Sequence, residues 1–272
     1  MSHTIAITNQ KGGVGKTTTT LNLGVGLARQ GQRVLLIDAD PQGSLTVSMG
    51  IRDPDKLDVS LATVLQASVD GVLLPEDTGI IHHAEGADLL PANIDLSAFE
   101  VGLFNTMSRE HVLRSYIQDL RHRYDTILID CMPSLGMLAI NALVAADSVI
   151  VPCQPNYLST KGLTLLMQSI SKVRRINRNL KMDGILLTMV DSRTNNAKTI
   201  IQSLRQSGSS LRVFDAEIPF SVRAAESNLA GKSIFTHDGK GKVAAAYEAL
   251  TKEVMELEQH TKDRSGPEKS IR

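Results

Sequence analysis

The sequence predicts an α/β protein, a single doubly wound, mostly parallel sheet flanked by helices. Three observations carry that expectation. Short apolar, β-branched runs alternate with longer segments whose apolar residues recur every three or four positions, the pattern of βαβ units. The runs are apolar almost throughout, which suits strands covered on both faces. A glycine-rich turn joins the first run to the first helical pattern. With 272 residues, 42% hydrophobic and 21% charged, the chain can bury a sizeable core in one or two domains.

Taken in order, strands are expected at 4-TIAIT-8, 33-RVLLID-38, 125-DTILID-130, 148-SVIVPC-153, 184-GILLTMV-190 and 211-LRVFDAEI-218. Helices are expected at about 16–30, 107–122, 136–146, 160–176, 195–207 and 241–259, where the apolar spacing fits one helix face. In 51-IRDPDKLDVSLATVLQ-66, read as a surface excursion over the site, Ser60 is placed to cap a short helix. Residues 1–259 are assigned to one domain and 260-HTKDRSGPEKSIR-272 to a polar, disordered tail. Cys131 and Cys153 lack C-x-x-C spacing and the first residues lack a secretory pattern, so a reducing cytoplasm is the expected setting. The longest apolar stretch, 137–151, is broken by Asn141 and Asp147 and falls short of the roughly 18 residues a membrane span needs.

Formal net charge is zero, yet residues 1–171 hold 11 Lys/Arg against 17 Asp/Glu (−6) and residues 172–272 hold 18 against 12 (+6). A basic C-terminal part permits contact with a polyanion through one face; scattered solvated charge is the other reading of the same numbers.

The first chemical signal is 5-IAITNQKGGVGKTTTTLNL-23. Strand, glycine turn and a helix opening on Lys-Thr form the setting in which a phosphate-loop motif has meaning. The strict pattern wants glycine at position 10; this chain has Gln10, followed by a second cation, Lys11. Gly12, Gly13, Val14 and Gly15 let backbone N–H groups turn toward phosphate oxygens, and the first helical turn, including Thr18, adds its own donors. Lys16 is placed to reach the β- and γ-phosphates and the Thr17 hydroxyl to ligate Mg²⁺. Two strands end in carboxylates: Asp38 and Asp40 in 33-RVLLIDADPQG-43, and Asp130 in 125-DTILIDCMPS-134, a Walker B-like strand. Cys131 stands where many nucleotide hydrolases carry a glutamate, so Asp40 is the candidate to orient water, with Asp38 either near the metal or supporting the loop. One carboxylate without a histidine or arginine partner suits slow, switch-type turnover.

The residues 10-QKGGVGKTT-18, 36-LIDADPQGSLT-46 and 128-LIDCMPSLG-136 resemble the ParA/Soj family of chromosome- and plasmid-partitioning ATPases, within the MinD-like group with a deviant Walker A motif. The likeness continues through 140-INALVAADSVIVP-152, 185-ILLTMVDSRTN-195 and 218-IPFSVRAAE-226. The sequence departs from the family pattern at Met132 and in 223-RAAESNLAGKSI-234.

The resemblance implies ATP and Mg²⁺ as cofactors, Lys11 reaching the partner's phosphates across an ATP-dependent homodimer, and Lys16 and Asp40 at the hydrolytic centre. Metal contacts fall to Thr17, Asp40 and Asp130, and an adenine pocket near Met189–Asp191 and Ile218–Pro219. It also implies nonspecific binding of double-stranded DNA through the basic half, carried by Arg193 and Arg223 with Lys198, Arg205, Lys232, Lys240 and Lys242. The implied partner is a ParB-like centromere-binding protein, and the implied location is the nucleoid within the cytoplasm. The run 172-KVRRINRNLK-181 suits either DNA or a solvated helix end.

Two rivals belong to the same superfamily. A MinD-like switch needs an amphipathic membrane-docking tail, and after His260 only Ile271 is bulky and apolar, so membrane binding is not expected. An iron–sulfur reductase needs bridging cysteines, whereas Cys131 and Cys153 read as core packing. With the loop about ten residues in, no DNA-reading domain is expected ahead of it. His82-His83 has no matching ligand set, since adjacent strand residues face opposite ways.

Overall fold

The computed structural model describes residues 2–134, 136–155, 160–191, 195–206 and 212–264. The apolar runs form β1 (His3–Ile7), β2 (Val34–Ala39), β5 (Thr126–Cys131), β6 (Ser148–Cys153), β7 (Lys181–Val190) and β8 (Val213–Pro219), close to the expected bounds. Two more strands, β3 (Ile81–His82) and β4 (Ala87–Leu90), were not expected, because two and four residues are too few to show a period. The described residues form one eight-stranded sheet in the order β3-β4-β2-β5-β1-β6-β7-β8, parallel except for the β3–β4 edge pair.

Long helices occupy the expected segments: α1 (Lys16–Arg29), α6 (Met137–Ala145), α7 (Thr160–Val173), α8 (Asn195–Gln206) and α11 (Lys242–Arg264). The segment expected as a helix over 107–122 is shorter, α5 (Val112–Leu120). Ser108 lies in the left-handed region (φ 52°) and a 3-10 turn at Arg109–His111 precedes the helix, so the regular spiral starts late. Conversely α11 runs to Arg264, past the expected end at 259, because no breaker intervenes before Gly266 and Pro267. Residues 265–272 lie outside the described residues. The remaining helices are α2 (Ser44–Ser48), α3 (Leu61–Val69), α4 (Asp95–Gly102), α9 (Val222–Leu229) and α10 (Ile234–His237). At the start of α3 the N–H of Ser60 donates to Thr63 Oγ1 at 3.2 Å, fixing the expected cap.

Strand alternation divides the core into two layers. Leu35, Ile37, Ile127, Ile129, Val149 and Val151 face α3, α5, α6 and α7 on one side. Val34, Leu36, Leu128, Ile150, Ile5 and Ile7 face α1 and α11 on the other. Every residue of β2 and β5 is buried, as the apolar runs require. Because β1, β2 and β5 are parallel neighbours, the turns after their C-terminal ends converge on one edge of the sheet.

The opposite edge is stitched by a polar chain. His3 Nδ1 lies 3.3 Å from Glu258 Oε1 on α11, His3 Nε2 lies 3.2 Å from Ser148 Oγ, and Ser148 Oγ donates to Asp183 Oδ2 at 2.5 Å. Thr126 and Gln32 also donate to Glu258. Burial works against charge on His3, but the bond to Glu258 and the nearby Asp183 and Asp147 outweigh it, and its pKa is raised above 6.5. A raised folded pKa means the protonated ring contributes stability that is complete below pH 6.5 and fades as pH climbs through the folded value. Urea unfolding at successive pH values should therefore show stability declining above pH 6.5, and His3→Gln should flatten that decline; the same slope in both proteins would show that another group titrates.

Candidate active site

The turn after β1 is shaped by glycines and by side chains that hold its carbonyls. Gly13 (φ 70°) and Gly15 (φ 84°) take left-handed conformations that glycine adopts without strain, and Gly15 caps α1. Asn9 bridges neighbouring segments: its amide donates to the Pro152 carbonyl at 2.8 Å and its Oδ1 accepts from the Lys11 N–H at 3.0 Å. Gln10 donates to Ser169 Oγ on α7 at 2.8 Å. Three loop carbonyls are held by side chains. Lys16 Nζ donates to Lys11 O at 3.2 Å, Gln154 Nε2 to Gly13 O at 3.0 Å, and Thr188 Oγ1 to Val14 O at 2.8 Å. The first-turn N–H groups of α1 have no intrahelical acceptor, so loop and helix together offer donors to an anion.

The carboxylates divide into two kinds. Asp130 is buried at the end of β5, and its Oδ2 accepts from Thr17 Oγ1 at 2.7 Å while Oδ1 accepts from Thr20 Oγ1 at 3.3 Å. Asp38, its register neighbour on β2, is fully buried and accepts from the Thr46 N–H at 2.8 Å, Thr46 Oγ1 at 2.7 Å and the Asp40 N–H at 3.2 Å. Burial, and for Asp130 the facing Asp38, pushes both well above the ordinary carboxylate range. Of the two readings open for Asp38, the hydrogen bonds support the one in which it holds the loop. Asp40 is half-buried, and its Oδ1 accepts from the Gln42 N–H at 3.0 Å.

These groups meet around a cavity of about 460 Å³ lined by Gly12, Gly13, Gly15, Lys16, Thr17 and Thr18, with Asp40, Gln42, Ser44 and Ser48 on one side and Pro133, Met189 and Asn228 on others. Lys16 is buried, and desolvation lowers its pKa while Asp130 acts in the opposite sense. Met189 carries a positive φ of 50°, a strained setting for a long side chain at the end of β7, and its sulfur lies 2.6 Å from Gln154 Nε2. Asn228 donates to Thr18 Oγ1 at 2.8 Å. Two residues past the end of α9, Gly231 packs so closely on the segment after α2 that a Cβ would stand 2.5 Å from the Gly50 Cα. Lys11, by contrast, is exposed and does not line the cavity. Burial pushes the Cys131 thiol up to about 12 and Cys153 to about 11, which disfavours the thiolate in both.

Residues 2–182 match a family model described as an AAA domain. The chain is 41% identical to the sporulation initiation inhibitor protein Soj of Bacillus subtilis, across 93% of this chain and 98% of that protein. It is 40% identical to the chromosome partitioning protein ParA of Caulobacter vibrioides, across 93% and 94% respectively. The chain belongs to the ParA/Soj family of P-loop ATPases. A solved structure of cobyrinic acid a,c-diamide synthase from Mycobacterium smegmatis with bound ADP and magnesium is 39% identical, with a TM-score of 0.81 over 98% of this chain and 97% of that one.

For a ParA/Soj-family ATPase the placement of the remaining expected residues is informative. Asp191 follows β7 and Pro219 ends β8; the two strand ends are paired, with Val190 opposite Pro219, but neither residue lines the cavity. Arg193 lies outside the described residues, as does the side chain of Lys198 on α8. Arg205 is engaged by Glu217 at 3.0 Å, and exposed Arg223 pairs with Glu226 at 3.2 Å. Lys232 and Lys240 are exposed on either side of α10, and Lys242 is exposed at the start of α11. Gln154, Thr188, Gln42, Ser44, Ser48 and Asn228 were not singled out as site residues; Gln42 and Ser44 lie in the 36–46 stretch that carries the resemblance, whereas Gln154, Thr188, Ser48 and Asn228 belong to no glycine or carboxylate motif. Thr188→Val keeps shape but removes the donor to Val14 O, leaving that carbonyl unsatisfied. It should raise the KM for ATP by up to about tenfold, for a loss of about 0.5–1.5 kcal/mol, and an unchanged KM would show that the loop holds its shape without Thr188.

Proposed function

We propose that this partitioning ATPase binds ATP and Mg²⁺ in the cavity after β1, forms a dimer around two nucleotides and coats DNA without reading sequence. Hydrolysis, stimulated by a ParB-like partner, then releases it. The observation that carries the reading is the pair of lysines on one loop. Lys16 is buried and holds the loop from within, whereas Lys11 is exposed and does not line the cavity, so a second subunit's phosphates can reach it.

The remaining roles follow from position. Gly12 to Thr18 cradle the phosphates, and Thr17 ligates the metal, with Asp130 orienting its hydroxyl and lying close enough to act through water. Bound Mg²⁺ neutralises charge developing on the phosphates. Asp40, on the cavity wall and fixed by Gln42, positions the attacking water or touches the metal. Met189 flanks the nucleoside, with Asp191 and Pro219 at the border of its pocket. Arg193, Arg223, Lys198, Arg205, Lys232, Lys240 and Lys242 supply phosphate contacts to DNA, which would be salt-sensitive. Arg223 can exchange its partner for a phosphate, since its pairing with Glu226 is solvent-exposed and weak. Residues 1–259 act as one domain, in a cytoplasmic, nucleoid-bound setting. No helix among the described residues is long and apolar enough to cross a membrane, and the partitioning relatives favour DNA over a MinD-like membrane cycle.

Light scattering with ATP should show a doubled mass that Lys11→Ala reduces while nucleotide binding persists, with DNA retention lost in parallel. A Lys11→Ala protein that dimerises and shifts DNA normally would remove the basis of the reading, and ATP-dependent sedimentation with liposomes but not DNA would favour the membrane switch. Asp40→Ala should lower steady-state phosphate release at least tenfold, roughly 1.4 kcal/mol or more in barrier, while leaving the ATP dimer intact; normal release would exclude Asp40 from water positioning.

A further inference from the structure

Away from the nucleotide, three consecutive apolar side chains stand in solvent: Val72 is 55% exposed, Leu73 98% and Leu74 39%. Single exposed apolar residues need no explanation, but a contiguous run beside a groove does. These residues form the lip of a groove of about 660 Å³ between α3, the loop 71–78 and the end of α5. Val64 and Leu120 on its walls are buried, and Tyr116 is partly so.

The loop is anchored at its second half. Left-handed Gly71 (φ 68°) and Gly79 (φ 78°) turn the chain into and out of it. Its second half is clasped to the segment before β5: Glu76 pairs with His122 at 3.4 Å and Asp77 pairs with Arg123. Backbone bonds from Thr78 to Pro75 O and from Ile80 to Asp77 O, both 3.0 Å, close the turn. These contacts fix the acidic half, and the apolar half stands exposed beside the groove.

The border of the groove is net acidic. Glu76 and Asp119 line it and Asp70 and Asp77 adjoin its lining in the chain, against His122, which lines it beside Glu76, and Arg123, which pairs with Asp77; Arg121 is turned away to Asp147. Asp70 and Asp119 form no ion pair among the described residues. An apolar slot with an acidic border is complementary to an amphipathic helix carrying apolar residues at three- and four-residue spacing and Lys or Arg on its flanks.

We propose that this groove is a docking site for a basic amphipathic segment of another protein, seated on Val64, Tyr116 and Leu120 beneath the Val72–Leu74 lip. The groove abuts the segment leading into β5, the sheet edge opposite the phosphate loop, so the occupant and a nucleotide can be bound together. This goes beyond the partitioning function and does not depend on it.

The probe is a synthetic helical peptide of about 15 residues built from Lys and Leu, titrated into the full chain by fluorescence anisotropy, with a Glu/Leu peptide of the same pattern as control. Saturable one-to-one binding is expected for the Lys/Leu peptide, weakened about tenfold or more by Leu73→Ser, as loss of one buried leucine implies. Asp119→Lys should weaken it too, and the control should bind less tightly. ATP hydrolysis should be unchanged in both variants, which shows that they fold. Four results would overturn the proposal: no saturable binding, equal binding of both peptides, a Leu73-dependent increase in mass without peptide, which would make the occupant a second copy, or Leu73-dependent binding to anionic vesicles, which would make it a membrane.

Discussion

A phosphate cradle functions only if its peptide units turn the same way, N–H groups toward the anion and carbonyls away from it. A carbonyl turned outward must still be satisfied, because a buried polar group without a partner costs on the order of 1–3 kcal/mol. Here Lys16, Gln154 and Thr188 meet the carbonyls of Lys11, Gly13 and Val14. These donors come from α1, the segment after β6 and β7, so the orientation of a short loop rests on three elements brought together by the parallel sheet. The lysine of the motif thereby serves the fold as well as the chemistry.

The two strand-end aspartates show how one layout separates structure from reaction. Asp38 and Asp130 are side by side in register, and two ionised carboxylates in a buried setting repel each other. The conflict is eased by unequal surroundings. Asp38 is enclosed by donors from Thr46 and Asp40 and fixes the turn that leads into α2. Asp130 faces Thr17 and Thr20 on α1, one turn from the phosphate loop. Asp40, two residues beyond Asp38, escapes the buried layer and reaches the cavity wall.

What could be read from the sequence was whatever has a period or a motif. The six longer strands and the long helices announced themselves because burial on both faces demands unbroken apolar runs, and the loop announced itself through its glycines and Lys-Thr pair. The edge hairpin at Ile81–Leu90 was illegible because a two-residue strand has no period, and α5 began late because the left-handed Ser108 depends on its surroundings rather than on residue type. Thr188, Gln154 and Asn228 were illegible for another reason. Each becomes a site residue only when strand order brings it against the loop, and nothing in its own neighbourhood marks it.

The mismatch at Gln10 is explained by the same geometry. Among the described non-glycine residues only Ser108 and Met189 have positive φ, so position 10 does not require glycine, and a side chain there is free to anchor Ser169 on α7. Gly13 and Gly15 do require it, since their left-handed conformations would strain any other residue. Gly12 has neither a positive φ nor a protein atom within 4 Å of where its Cβ would stand. Nothing in the protein itself excludes a side chain at Gly12, and glycine there leaves that face of the loop bare for a bound group. It lies directly beside Lys11, so the bare backbone and the extra cation are neighbours on the loop.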